Sequence, residues 1–453
     1  MSTDQLEDTM RLSLTTRPRQ VPSSVGIVHL GIGAFHRAHQ AVYTEDAGDG
    51  WGICGITQRS AAVADRLAPQ DGLYSVLERG PEGVSARIIG SVREVLTGDA
   101  TADRIADPEV RVVSLTVTEK GYRHDPATGR LRLDDPEICL DITGREPRTV
   151  IGRLVRGLAR REAPVTVLCC DNLTANGATL RGLVEEYAER AGVKITCDMA
   201  FPATMVDRIV PATTAEDLDE AERLLGVRDQ GVVVTEPFTQ WVIEDSFAAG
   251  RPAWEKAGAI FTEDVAPYEL MKLRLLNGTH SMLAYLGARF EYVSDAVDVL
   301  GDALRLYMDE DATPTLTVPT GFDLEEYKAS LLTRFANPAL KHRTAQIAMD
   351  GSQKLPQRLL GVVRDRLAAG AEPRWAALAV AAWMRHVWTA KTLDDPLADH
   401  LRMAVARAVR PAEVVDALLG ITEVFGPDLR ESRVFRDLLV EHLAWLTSGA
   451  SPY

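Results

Sequence analysis

The run VGIVHLGIGAFHRAHQAVYTEDAG constrains this chain more than any other stretch, because it joins an apolar strand to a helix through a glycine turn. Val25 to Gly33 is a short apolar run closed by glycine, the pattern of a strand covered on both faces, and the residues after it carry a helical pattern. In a dinucleotide-binding unit the first glycine makes the tight bend and the second lets the backbone approach the pyrophosphate, whose charge the helix N-terminus favours. Gly31 and Gly33 fit those roles. His36 stands where a third glycine is usual, so from spacing alone a plain turn and a phosphate cradle are equal readings.

Further apolar runs follow. WGICGITQ, Trp51 to Gln58, reads as a second strand, whose end normally carries the acid that binds the adenosine ribose. Here the end is Thr57, Gln58, Arg59 and Ser60. Arg59 would equally approach a 2′-phosphate, so NAD and NADP both stay open. The stretch from Gly72 to Gly98 reads as a pair of added strands, and the run from Arg111 leads a central strand into Glu119. Val165 to Cys170 is another, ending at Asp171 and Asn172. Carboxyl ends of parallel strands face the ligand crevice, which places Asn172 to bind a substrate oxygen and Val206 and Asp207 beside the cofactor.

From Pro267 the pattern changes to helical segments over 268–289, 293–309, 324–335, 338–350, 354–369, 373–389 and three more. The expected fold is α/β: a Rossmann-type NAD(P)-binding domain with added strands over 1–266, then a mainly α-helical substrate and catalytic domain over 267–453. An active site between the two is expected.

The second domain opens on MKLRLLNGTHSMLAYLG, apolar nearly all round, which marks a buried helix. In an α-helix Asn277 and His280, three apart, project from one side, and Lys272 lies within about 80° of His280. Taking a lysine out of water lowers its pKa towards neutrality, where it accepts a proton from an alcohol. Asn277 would then donate to an alkoxide and His280 hold the hydroxyl. The plain alternative has Lys272 reaching the surface, Asn277 beside a helix break at Gly278, and His280 as a core residue.

The net charge of −15, from 65 acidic against 50 basic residues, opposes binding to nucleic acid. No window approaches about 18 consecutive apolar residues, so no membrane span is expected. Residues 1 to 24 read as a polar, proline-containing arm without a signal-peptide pattern. Five cysteines without a CxxC pair fit a reducing cytoplasm. His36 and His39 lack a carboxylate or cysteine at ligand spacing, so no metal site is expected. The sequence leaves the oligomeric state open, a monomer included.

Five blocks in one order, GIGAFHRAHQ, TVTEKGY, CDNLTANG, FPATMVDRI and the Lys272–Asn277–His280 helix, resemble the polyol-specific long-chain dehydrogenase family, to which mannitol dehydrogenases belong. The resemblance implies an NAD-linked, metal-independent alcohol oxidation with Lys272 as general base, NAD over NADP resting on the family alone. It implies Asn172 and Asn277 as oxyanion binders with His280 beside them, and Glu119 and Glu269 in proton passage. Gly31, Gly33, Phe35 and Arg37 would hold the cofactor, the family carrying this same altered glycine turn. The family often has a more polar pair at Ala203 and Thr204, which leaves that turn's contacts open.

Within the family, NPALKHRTAQIAMDGSQKLPQR, Asn337 to Arg358, looks more like fructuronate reductases than mannitol dehydrogenases, which place an arginine about where Gln346 stands. A sugar acid carries a carboxylate, and burying it requires a cation. Arg343 and Lys354 are the candidates, with Arg358 read as a surface cation. The expected substrate pair is D-mannonate and D-fructuronate, with mannitol and fructose as the alternative. A sugar-acid or nucleotide sensor is the rival from another class.

Overall fold

Six short apolar runs build one parallel sheet: β1 (Ser24–Leu30), β2 (Trp51–Thr57), β3 (Val92–Thr97), β4 (Val112–Leu115), β5 (Val165–Cys169) and β6 (Met199–Ala200). In this computed structural model, which describes residues 10–448 other than 126, 127 and 145, their order is β3-β2-β1-β4-β5-β6, every pairing parallel. That is the order of a dinucleotide-binding sheet, and its switch point falls between β1 and β4. Both faces are covered, so the strands carry unbroken apolar runs. Val28, Leu30, Ile56, Val113 and Leu115 enter one core, while Ile27, Ile53, Val112 and Leu168 enter the other.

The chain divides into two units, Met1–Ala266 and Pro267–Tyr453. In the first, the stretch expected to give two added strands gives three. Tyr74–Gly80 and Gly83–Ile89 pair antiparallel, with Val233–Thr235 alongside. The chain then turns at Gly90 and Ser91, where the Ser91 hydroxyl donates to Ala41 O at 2.7 Å, and the remainder joins the main sheet as β3. The helix after the glycine turn is split at His39 (φ −122°, ψ −94°) into α1 (Ala34–Ala38) and α2 (Gln40–Ala47). Further on, α3 (Val150–Leu158) is capped by Thr149, whose hydroxyl accepts from Gly152 N at 3.1 Å.

The lead-in segment is laid against its own unit. Leu12 is buried with Leu73 and Val227, and backbone bonds tie it down from Leu12 N to Arg228 O (2.8 Å) and from Arg228 N to Met10 O (3.0 Å). Leu12, with Leu14 and Val21 packed against the same cluster, draws it in. Residues 1–9 lie outside the described set.

The second unit is helical. Here α4 (Gly278–Leu286), α5 (Arg374–Thr389) and α6 (Arg433–Thr447) form a packed series, α5 touching both others. Ala376, Ala377, Ala379, Ala381 and Ala382 are all buried on α5, and short side chains allow neighbours close approach. Four helices follow residue 390, one more than expected: Ala398–Val405, Pro411–Leu419, Thr422–Glu431 and α6. The segment expected as 338–350 is a 3-10 turn, Pro338–Leu340, then a short helix, Thr344–Ala348, separated by Lys341 at φ +46°. Three stretches are wound as π-helix: Lys272–Asn277, Tyr307–Ala312 and Pro356–Leu360. No helix among the described residues is long and apolar enough to cross a membrane.

Candidate active site

At the carboxyl ends of β1, β2 and β4 lies a cavity of about 690 Å³, lined among others by Gly31, Gly33, Gln58, Arg59, Thr116 and Arg153. Gly31 sits at φ +95°, and a Cβ there would stand 2.2 Å from Thr116 O; only glycine lets β1 turn so tightly against β4. Gly33 is different. A Cβ on it would meet no protein atom closer than Gly31 O at 3.8 Å, so its missing side chain enlarges the cleft instead of relieving a clash. That is the space a dinucleotide's pyrophosphate needs to reach backbone.

A buried polar network holds the turn from beneath. His29 Nδ1 lies 2.8 Å from Ser114 Oγ and its Nε2 2.8 Å from Thr116 Oγ1. Ser114 Oγ lies 2.7 Å from Gln40 Oε1, and Thr116 Oγ1 2.9 Å from Gly31 O. The His36 ring stacks on His29 with centroids 3.4 Å apart, which explains why a histidine replaces the usual third glycine. Burial pushes both imidazoles down, His29 to about 3, so two neutral rings pack together where two cations would repel.

Asp171, at the end of β5, fixes the other wall. Its carboxylate accepts from Val117 N (2.8 Å), Thr118 N (3.1 Å) and the Tyr122 hydroxyl (2.7 Å). These bonds hold Thr118 at φ +67°, a strained conformation for a β-branched residue. Burial raises the Asp171 pKa. Its place at a strand end was visible in the sequence; its backbone partners, more than fifty residues earlier, were not.

The other expected cofactor residues divide. Phe35 stacks on His39 with centroids 5.1 Å apart. Arg37 is buried, donating from Nε to Gly33 O at 3.2 Å and from Nη1 to Gly231 O, and lying over the Tyr74 ring. It braces the turn from within, and burial brings its pKa down to about 10, still charged at neutrality. Val206 and Asp207 are buried in the strand Thr204–Asp207, opposite Trp241 and Gln240, and do not line the cleft. Glu119 and Asn172 are exposed on the loops after β4 and β5. His36 and His39 do not form a metal set, and no group of three or more His, Cys, Asp or Glu side chains suited to a metal occurs among the described residues.

In the second unit Lys272 opens a π-turn and Asn277 closes it, with Glu269 half-buried one turn earlier. Lys272 is 8% exposed. In an α-helix residues five apart point away from each other, but π-helix repeats i to i+5 and brings Lys272 and Asn277 towards one face. The turn is stabilised from outside, since the buried Tyr307 hydroxyl donates to Arg274 O at 3.0 Å. Gly278 makes room for it: a Cβ there would stand 2.2 Å from that hydroxyl oxygen.

One turn on, His280 stacks on Phe335 (4.9 Å) and meets His342 edge to face (5.0 Å). Its Nε2 is buried with no hydrogen-bond partner among the described residues. Burial holds its pKa well below the usual value, and the charged groups acting on it, His342, Arg358, Arg334 and Lys354, all push the same way. Lys354 is likewise lowered, by burial and then by Arg358, against Asp350, Asp395 and Asp394. Arg358 donates to the Ser281 hydroxyl at 3.2 Å. Arg343 is elsewhere: it is 60% exposed and pairs with the equally exposed Glu291 at 3.4 Å. Sequence spacing missed Arg334, His342 and Arg358 as a set, because three separate segments deliver them.

Residues 25–256 match the family model of the mannitol dehydrogenase Rossmann domain, and residues 264–446 that of the mannitol dehydrogenase C-terminal domain. The chain belongs to the mannitol dehydrogenase family. Among family relatives, the oxidoreductase YdfI of Escherichia coli (strain K12) is 44% identical over 456 residues, 94% of this chain and 93% of its own length. The D-mannonate oxidoreductase of the same organism is 44% identical over 441 residues, 90% of each chain. The solved Pseudomonas fluorescens mannitol 2-dehydrogenase, a ternary complex with NAD and D-mannitol, superposes with a TM-score of 0.83 at 37% identity, covering 97% of both chains. Membership makes this mannitol dehydrogenase family protein an oxidoreductase, with the Rossmann-type sheet and helical second part of its relatives.

Proposed function

We propose that this protein is an NAD-dependent secondary-alcohol dehydrogenase that interconverts D-mannonate and D-fructuronate. The observation that carries the substrate is the set of cations bearing on His280: Arg334, Lys354 and Arg358, from different segments of the helical unit. A carboxylate taken out of water needs such partners, and a neutral polyol does not. The 44% identity to the E. coli D-mannonate oxidoreductase supports the same reading.

When bound, NAD⁺ takes up the hydride leaving the carbinol carbon. The protein's part is to hold the dinucleotide at Gly31 and Gly33 and to handle the hydroxyl proton. In this reading Lys272, as the neutral amine, accepts that proton, and the carboxamide of Asn277 donates to the oxygen as charge develops there. His280, neutral because of its burial and its cationic neighbours, uses its unpartnered Nε2 on a substrate hydroxyl. Glu269, one turn before Lys272, relays the proton to water.

A second reading, mannitol 2-dehydrogenase, is favoured by the fold match to the P. fluorescens enzyme solved with NAD and D-mannitol. Purified protein followed at 340 nm separates them. NADH with fructuronate should turn over with kcat/KM at least about tenfold above NADH with fructose, a difference of about 1.4 kcal/mol in transition-state binding. A preference for fructose would give the mannitol reading, and no change on either would remove the dehydrogenase assignment.

A further inference from the structure

The end of β2 carries no acid. In a Rossmann-type sheet this is where the adenosine ribose lies, and a carboxylate there binds the 2′-hydroxyl of NAD while repelling the 2′-phosphate of NADP. Here Gln58, Arg59 and Ser60 line the cleft instead. Arg148 and Arg153 line it too. Arg153 is brought in by a specific vacancy, since a Cβ on Gly98 would lie 1.9 Å from its Nη1. It reaches Gln58 Oε1 at 3.3 Å and Asp99 Oδ1 at 3.2 Å, so it bridges the end of β2 to the turn after β3.

The charge balance of this corner is one-sided. Arg123, also on the cleft, is neutralised by Asp135 and Glu137, and Arg153 by Asp99. Neither Arg59 nor Arg148 has an acidic partner among the described residues, and both are exposed. Two guanidinium groups without an acidic partner and the Ser60 hydroxyl therefore line the same cleft as the end of β2. Guanidinium groups bind a phosphate through paired N–H donors. A ribose hydroxyl has no use for two of them.

We propose that the adenosine end of this cleft accepts a 2′-phosphate, so that the protein binds NADPH no more weakly than NADH, through Arg59 and Arg148. This rests on the dehydrogenase reading above, and the test separates the two. Binding of NADH and NADPH to the intact protein is measured by nicotinamide fluorescence, with 2′,5′-ADP and 5′-ADP as competitors. The expected result is an NADPH Kd equal to or below that of NADH, with 2′,5′-ADP the stronger competitor and its advantage shrinking as salt is raised. Arg59→Ala should weaken NADPH about tenfold and NADH less than about twofold, one lost phosphate contact being worth about a decade. Gln58→Asp should restore preference for NADH by placing a carboxylate against the 2′-phosphate. If NADH binds and NADPH is more than about tenfold weaker, or if Arg59→Ala and Arg148→Ala weaken both equally, the proposal is overturned while the dehydrogenase stands. If neither binds, the dehydrogenase reading itself falls.

Discussion

At the scale of single residues, the site is decided by which charged groups are buried and by what faces them. Lys272→Ala should lower kcat by about 10²–10⁴-fold, the usual contribution of a positioned proton acceptor. NADH affinity by fluorescence titration should stay within about twofold, because the lysine is assigned to the hydroxyl proton and not to the dinucleotide. Unchanged kcat would take it out of the mechanism. Two arginines make a sharper contrast. Arg358 bears on the His280 ring, so Arg358→Ala should cost about 3 kcal/mol in kcat/KM on fructuronate, the lower end for stripping one partner from a buried charge pair. Arg343 is exposed and paired with Glu291, so Arg343→Ala should change kcat/KM by less than about threefold, as surface pairs are worth at most about 1 kcal/mol. The reverse order would return the carboxylate to Arg343. The sequence singled out the segment Asn337 to Arg358, but not which of its cations turns inward, because that depends on Phe335 and His342 closing over His280.

At the scale of elements, the parallel sheet was legible because covered strands must be apolar throughout, although the glycine turn after β1 read equally as a plain turn from spacing alone. The π-turn was not. KLRLLN has the composition of any buried helix, and its hydrogen-bond register is set by Tyr307, thirty residues on, and by the absence of a side chain at Gly278. Likewise β3 was merged with its neighbour because nothing local marks Ser91 as a crossing between sheets. Tyr307→Phe tests the π-turn. It removes the hydroxyl bonded to Arg274 O and leaves a buried carbonyl without that donor, at a cost of about 1 to 3 kcal/mol. Turnover should fall more than cofactor affinity, since the turn aims Lys272 and Asn277. If chemical denaturation shows the loss in stability while kcat is untouched, the turn is structural only.

At the scale of the whole molecule, the same buried imidazoles that support the site should govern acid stability. His29 and His36 have pKa values depressed in the folded state by burial, His29 to about 3, from an ordinary 6.5. The unfolded chain therefore binds the extra protons, and the stability these groups allow is complete above pH 6.5 and lost as pH falls towards the folded values. Each contributes a slope of up to about 1.4 kcal/mol per pH unit in that window. Urea unfolding between pH 7 and pH 4.5 should show proton uptake to which His29 and His36 contribute about two, and His36→Phe, which keeps a ring stacked on His29, should take up about one proton fewer. A flat profile would mean that the pair stays protonated when folded.

The winding at Lys272–Asn277 also has a hereditary side. A π-turn differs from an α-turn by a single residue in its repeat, so removing one codon between Lys272 and Asn277 would return the segment to ordinary α-helix. The helical core beyond Gly278 would keep its register, and Lys272 and the asparagine, then four apart, would stand within about 40° of each other on one face. A relative with an unbroken α-helix and the same pair on one face is therefore one small deletion away from this sequence.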